Sequence, residues 1–246
     1  MNPPVIRPTN LAGEPPKFVS RGGLKLYHAI STLQVSCAGL TCADFGCSTG
    51  GFTDCLLQAG ALRVYAIDTG YGVLAWSLRK DPRVVVMERS NCLHLEPPRE
   101  VVQSGGVDIV TIDASWTPQK LMIPAALRWL KRTPEARIVT LIKPHYEDKP
   151  LAAGFRGVLP DDLGSRVTQS VLTNMPTLGV RVLAWTPSPI RGLLGKSETK
   201  GNQEYLAVLQ RLEDSIQPPP STRMGASPPP ASPHAPPFEP DVSSGA

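Results

Sequence analysis

The chain has no CxxC pair, no apolar run of membrane length and little charge. Its 246 residues include five cysteines, Cys37, Cys42, Cys47, Cys55 and Cys92. Four crowd one stretch at spacings of five, five and eight, which fits no zinc-ligand pattern. They read as reduced, buried, small hydrophobes in a reducing, cytoplasmic setting, and no metal is expected. No hydrophobic segment approaches the ~20 residues of a spanning helix. The opening MNPPVIRPTN has no apolar signal-peptide core. These absences argue against a secreted precursor and against any membrane role. The lack of a sustained repeat argues against a fibre. Charged residues are 19% of the chain, below the usual ~25%, which argues against a highly charged disordered chain.

What is present suits one globular body with loose ends. Hydrophobic residues make up 41%, enough for a core without disulfide staples at this length. The net charge of +4 is a mild bias toward anionic partners. Proline gathers at the ends. Residues 217–246 hold ten prolines and almost nothing to bury, so residues 213–246 are expected to form a disordered tail. Residues 1–18, with Pro3, Pro4, Pro8, Pro15 and Pro16, are expected to be a second loose end. The body is residues 19–212.

Within the body, short Val- and Ile-rich runs predict buried strands at Leu40 to Phe45, Leu62 to Ile67, Val84 to Met87, Val107 to Ile112, Ile138 to Ile142 and Val180 to Trp185. Helices are predicted at Phe52 to Gln58, Leu121 to Leu130 and Asp162 to Leu178. An earlier helix, capped by Ser20, would bury Leu24, Tyr27, Ile30 and Leu33. A last strand, Glu204 to Leu209, follows a loop too short for a helical crossover, so it should run antiparallel. The pattern predicts an α/β, Rossmann-like fold: a mostly parallel seven-stranded sheet with helices on both faces.

The chemistry gathers at predicted strand ends. The first strand runs into Asp44-Phe45-Gly46-Cys47-Ser48-Thr49-Gly50-Gly51-Phe52. The glycines let the backbone approach a ligand closely. The spacing is neither the G-x-G-x-x-G of a dinucleotide site nor a Walker loop. An acid beside the turn suits a ligand with a cationic end, such as S-adenosyl-L-methionine. Asp68, about 20 residues on at the second strand's end, can accept from ribose hydroxyls. Asn91, after the third strand, can read an adenine edge or simply cap a turn. Asp108 and Asp113 bound the fourth strand, and Lys143 ends the fifth. Asp113 and Lys143, at neighbouring strand ends, should meet, either as a plain salt bridge or as a catalytic pair.

These motifs together resemble a family. Ser20-Arg21-Gly22-Gly23-Leu24-Lys25-Leu26, the stretch DFGCSTGGFTDC from Asp44 to Cys55, and Val64 to Asp68 with Gly70-Tyr71-Gly72 come first. DIVTIDAS from Asp108 to Ser115, Lys143-Pro144 with Glu147, Thr186 to Ile190, and Gly201-Asn202-Gln203-Glu204-Tyr205-Leu206 follow. The series resembles the haemolysin A-like branch of the FtsJ family of S-adenosylmethionine-dependent RNA 2′-O-methyltransferases, over roughly residues 17 to 212. The resemblance implies a catalytic tetrad of Lys25, Asp113, Lys143 and Glu204. It implies cofactor contacts at Gly50, Phe52, Asp68, Asn91 and Asp113, with Asp44, Gly46, Ser48 and Gly51 in the same turn. The implied cofactor is S-adenosyl-L-methionine and the implied partner RNA, with rRNA or a ribosomal subunit foremost. Members of this branch usually begin with an S4 RNA-binding domain. Nineteen residues precede Ser20 here, so that domain is expected to be lacking. Trp116 stands where another aromatic is typical, and His145-Tyr146 after Lys-Pro also departs from the pattern.

Under this resemblance Asp113 holds Lys143, while Lys25 and Glu204 position ribose and phosphate. Burial and Lys25 would lower the Lys143 pKa, and Asp113 and Glu204 would raise it. The sequence leaves open whether Lys143 is a general base or only orients the hydroxyl. Lys17, Arg21, Arg191, Lys196 and Lys200 are expected to form a basic rim for RNA. Arg128, Lys131 and Arg132 are expected to answer a helix dipole and solvent. The runner-up reading is a non-catalytic RNA-binding module. A dehydrogenase is disfavoured by the glycine spacing, and a cytolysin by the absence of an amphipathic or spanning segment.

Overall fold

The computed structural model describes residues 16–192 and 201–212. The expected tails and the loop lysines Lys196 and Lys200 lie outside the described residues. Seven strands form one sheet: β1 (Thr41–Phe45), β2 (Arg63–Ile67), β3 (Val84–Met87), β4 (Ile109–Ile112), β5 (Arg137–Ile142), β6 (Val180–Pro187) and β7 (Tyr205–Arg211). Their order is β3-β2-β1-β4-β5-β7-β6. The first five run parallel. β7 is antiparallel to both neighbours, as the short final connection requires. The central strands read as unbroken apolar runs because both faces are covered; all four residues of β4 are buried.

Helices α1 (Gly22–Thr32), α2 (Gly51–Gln58) and α3 (Trp76–Arg79) cover one face. Helices α4 (Arg99–Gln103), α5 (Gln119–Trp129) and α8 (Asp161–Asn174) cover the other. The short α6 (Pro144–Glu147) and α7 (Lys149–Gly154) follow β5. On the α5 face, Trp129 is fully buried and meets Phe45 and Tyr65 edge-on at 5.8 and 6.0 Å. Truncating such a residue typically costs about 3–5 kcal/mol. The five cysteines are free and buried. Burial pushes the Cys37 thiol up to about 12 and the Cys92 thiol up to about 11.

Three local expectations are corrected. Helix α1 buries Lys25, Leu26, Ala29 and Ile30, with Leu24, Tyr27 and Leu33 only half-buried. Ser20 does not cap it, and no side chain does. The reason is the close approach of α1 to α2. A Cβ on Gly51 would lie 2.3 Å from Ser20 Oγ and 2.7 Å from Gly23 N. Ser20 is wedged between the two helix starts, and α1 is turned so that Lys25 faces inward. The single helix expected from Asp162 to Leu178 breaks instead into α8 and a 3-10 turn, Met175–Leu178, where Pro176 has no N–H to continue the α-ladder.

Candidate functional site

β1 pairs with β2 on one side and β4 on the other, so the chain reverses its winding at β1. In open α/β sheets the crevice beyond the carboxyl ends at such a point receives ligands. Here it is a cleft of about 660 Å³. Lys25, Gly46, Ser48, Gly51, Phe52, Asp68, Asn91, Asp113, Lys143 and Glu204 all line it. Ten of the twelve singled-out positions therefore share one cavity.

The four tetrad candidates form two ion pairs. Lys25 Nζ lies 2.5 Å from Glu204 Oε2, with both side chains almost wholly buried. Lys143 Nζ lies 2.6 Å from Asp113 Oδ1. Lys25 arrives on the first turn of α1, Asp113 just after β4, Lys143 just after β5 and Glu204 just before β7. Two cations and two anions balance in a poorly solvated space, which permits their burial. Burial alone would lower the Lys143 pKa. The charges of Asp113 and Glu204 and the hydrogen bond to Asp113 outweigh it, and the pKa is raised above the ordinary lysine value. Lys143 is an ammonium near neutral pH.

The glycine-rich turn is held by backbone bonds. Gly46 and Cys47 N–H both donate to Ile67 O, at 2.9 and 3.1 Å. Gly46 has φ +83°, and a Cβ there would lie 2.8 Å from the Asp113 carbonyl oxygen. Ser48, also at positive φ (+49°), donates its N–H to Asp68 Oδ2 at 2.8 Å. Gly70 N–H donates to Asp68 Oδ1 at 2.7 Å. Asp68 is thereby aimed at the cleft with lone pairs to spare. Asn91 Oδ1 accepts from Leu93 N–H at 3.0 Å. Its side chain caps the turn and also lines the cleft.

Two expected contacts do not reach the cleft. Asp44 is fully buried beneath the turn, where it accepts from the Thr53 hydroxyl at 2.7 Å and the Thr111 hydroxyl at 2.9 Å. Burial, helped by Asp113 and resisted by these hydrogen bonds, pushes its pKa up to about 7. It supports the turn from below, because β1 alternation puts it on the α1–α2 face opposite Thr111. Gly50, at φ +103°, packs against Leu74 and Leu78.

Of the five residues expected in the basic rim, Lys17, Arg21 and Arg191 are among the described residues. Arg21 lines the cleft and donates to Arg191 O at 2.9 Å. Lys17 is exposed. The Arg191 guanidinium pairs with Asp161 at 2.5 Å, so it tethers the loop after β6 to α8. Nor do the helix-end cations simply answer a dipole. Arg128 donates to Leu93 O at 2.7 Å and pairs with Glu96, and Lys131 pairs with Asp108 at 2.6 Å.

Sequence reasoning missed two features. Glu88 accepts from the N–H groups of Gly72, Val73 and Leu74, at 2.8, 3.0 and 3.1 Å, and pairs with Arg79. It folds the loop beyond Asp68, and Arg79 foremost holds its carboxyl down at about 2. A carboxylate just after β3 was the available signal. The second feature is an aromatic wall. Trp116, two-thirds exposed at φ +45°, stands edge-on to Tyr146 at 6.4 Å. His145 packs on Tyr146 at 4.0 Å, and its buried Nδ1 has no partner. Burial and the nearby Lys143 and Lys25 lower the His145 pKa to about 4.

Among the described residues, no helix is long and apolar enough to cross a membrane. No group of three His, Cys, Asp or Glu side chains among them could hold a metal ion.

The chain is similar over most of its length to known proteins. The 16S/23S rRNA (cytidine-2′-O)-methyltransferase TlyA of Mycobacterium tuberculosis is 40% identical over 198 residues, covering 80% of this chain and 70% of its own. Hemolysin A of Brachyspira hyodysenteriae is 35% identical, covering 78% of this chain and 76% of its own. A solved hemolysin structure from Streptococcus thermophilus superimposes with a TM-score of 0.72 at 35% identity, covering 82% of this chain and 70% of its own. The FtsJ-like methyltransferase pattern matches residues 18–210. With that match spanning most of the described residues and the whole of the cleft, the chain belongs to the FtsJ-like methyltransferase family, in its hemolysin A-like branch.

Proposed function

We propose that this protein methylates a ribose 2′-hydroxyl of RNA, with rRNA as the substrate class, using S-adenosyl-L-methionine as methyl donor. The observation that carries the reading is the meeting of Lys25–Glu204 and Asp113–Lys143 in one cleft, from four distant parts of the chain. The M. tuberculosis relative, named for 2′-O-methylation of rRNA, supports it.

The cleft suits that donor by its chemistry. Asp68 and Asn91 offer acceptors and an amide to a nucleoside. Gly46 and Gly51 let the turn pack closely on the end of β4 and the start of α1, where a Cβ would clash, and so set the floor of the cleft. The start of α2 at Gly51 and Phe52 opens on the cleft, where a carboxylate is favoured. S-adenosyl-L-methionine supplies a methyl group already activated by its sulfonium. The chain's residues then have to align a hydroxyl and exclude water. Lys143, held charged by Asp113 and Glu204, would donate a hydrogen bond to the hydroxyl oxygen and leave a lone pair free for the donor's methyl group; as the O–C bond forms the C–S bond would break to release the thioether product, and the hydroxyl proton would pass to solvent. Asp113 fixes Lys143. Lys25, itself fixed by Glu204, meets the anionic backbone of the nucleotide.

The test is incubation with labelled S-adenosyl-L-methionine and either ribosomal subunits or total RNA, followed by mapping of ribose methylation. Label in ribose of wild-type reactions and its loss in Lys143→Ala supports the reading. Donor and RNA binding without transfer would establish the binding-module alternative instead.

A further inference from the structure

Glu147 sits outside the tetrad, yet it joins the two chain segments that carry Asp113 and Lys143. Lys143 leads directly into α6, where Tyr146 and Glu147 N–H donate back to Lys143 O at 2.8 and 3.3 Å. Asp113 leads through residues 114–118, with Trp116 at positive φ, into α5. No side chain of residue 118 caps α5. Both carboxylate oxygens of Glu147 take that place, accepting from Gln119 N–H at 3.0 and 3.2 Å. The buried Gln119 side chain is clamped in turn to β5. It donates to Leu141 O at 3.2 Å and accepts from the Thr140 hydroxyl at 2.7 Å.

We propose that Glu147 is a positioning residue for the Asp113–Lys143 pair, locking α6 to the start of α5 so that the two pair-bearing loops keep a fixed separation. Negative charge is favoured at a helix N-terminus, so the lock is strongest with the carboxyl ionised. A pocket of about 370 Å³ adjoins Glu147. The charged groups lining it are Lys120 on α5 and Asp148, next in sequence; α8 and the 3-10 turn contribute Val167, Ser170, Val171, Asn174, Thr177 and Leu178. Burial, resisted by Gln119 N–H and Lys120, pushes Glu147 up to about 7. The lock therefore loosens on mild acidification.

The inference rests on the methyl-transfer reading, and the experiment separates the two. Wild type, E147Q and E147A are assayed as full-length chains on ribosomal RNA between about pH 6 and 9, beside calorimetric binding of S-adenosyl-L-methionine. Glutamine keeps an acceptor for Gln119 N–H but carries no charge. Wild-type kcat is expected to fall below about pH 7, and E147Q to lack that fall. E147A should lose about tenfold in kcat, with donor affinity unchanged. A persisting acid limb in E147Q, or full kcat in E147A, overturns the proposal. If wild type transfers no methyl group, the reaction reading has failed, and the lock is judged by NMR. The amide protons of Gln119 and Trp116 should then titrate together near pH 7 in wild type and stay flat in E147Q. Any other pattern overturns it, and E147Q carries this arm alone if E147A does not fold.

Discussion

Lys25 Nζ and Glu204 Oε2 lie 2.5 Å apart across 179 positions of sequence, tying α1 to the start of β7. Removing one partner leaves the other charge buried and unpaired, at a typical cost of about 3–5 kcal/mol. K25M and E204M should each lower unfolding free energy toward that size, while K25M/E204M should recover much of the loss. Urea unfolding of all four proteins measures the coupling. Additive losses would show that the pair is solvated. Methyl transfer should be absent from all three variants, whatever their stability.

Lys143 is held as a cation by Asp113 and Glu204. A group acting as hydrogen-bond donor has no need to lose its proton, so wild-type kcat should be level between about pH 7.5 and 9. A free-amine base would instead give a tenfold rise per pH unit over that range. K143A should lose about 10² to 10⁴ in kcat. Donor affinity measured by calorimetry should stay near wild type, because the proposed reaction assigns Lys143 to the acceptor hydroxyl.

Much of this site was legible in the sequence, for identifiable reasons. Strand ends announce themselves when Val and Ile runs stop at a charge, so Asp113 and Lys143 could be set side by side before any coordinates. The parallel register of β4 and β5, with Ile112 opposite Thr140, brings those ends together. Lys25 and Glu204 gave no such signal. A lysine in a helix and a glutamate before a strand look solvated, and only the family resemblance singled them out. The turn of α1 was misread because Gly22 and Gly51 let two helices touch, and close backbone approach has no hydrophobic period. Asp44 looked like a ligand for a related reason. Strand alternation buries it among hydroxyls, and its neighbours in sequence do not disclose Thr111, 67 positions away.

That buried carboxyl makes a separate prediction about stability. Asp44 has a folded-state pKa near 7 against 3.8 ordinarily, so the folded protein binds its proton more tightly than the unfolded chain does. Its linkage favours folding below about pH 4 and is lost as pH rises through about 7. Glu147, raised to about 7 from 4.5, acts in the same direction. Unfolding free energy should therefore decline from pH 5 to pH 8, by on the order of a few kcal/mol. D44N should remove about half of that decline, Glu147 carrying the rest, since the Thr53 and Thr111 hydroxyls can turn to match an amide. An unchanged slope in D44N would place the titration elsewhere.

The glycine turn can be probed at its tightest point. At Gly46 the backbone sits at φ +83°, and a Cβ would come within 2.8 Å of Asp113 O and 3.1 Å of Ala114 Cα. Both contacts are main chain, so neither can swing aside. An alanine there also carries the strain of positive φ, about 1–3 kcal/mol. Relief requires the ends of β1 and β4 to part, and that moves Asp113 away from Lys143 while opening the floor of the cleft. G46A should lose about 2 kcal/mol or more in urea unfolding. It should also bind S-adenosyl-L-methionine at least about tenfold more weakly, a loss of about 1.4 kcal/mol. Stability loss with unaltered donor affinity would mean that the turn shapes the fold without touching the cofactor.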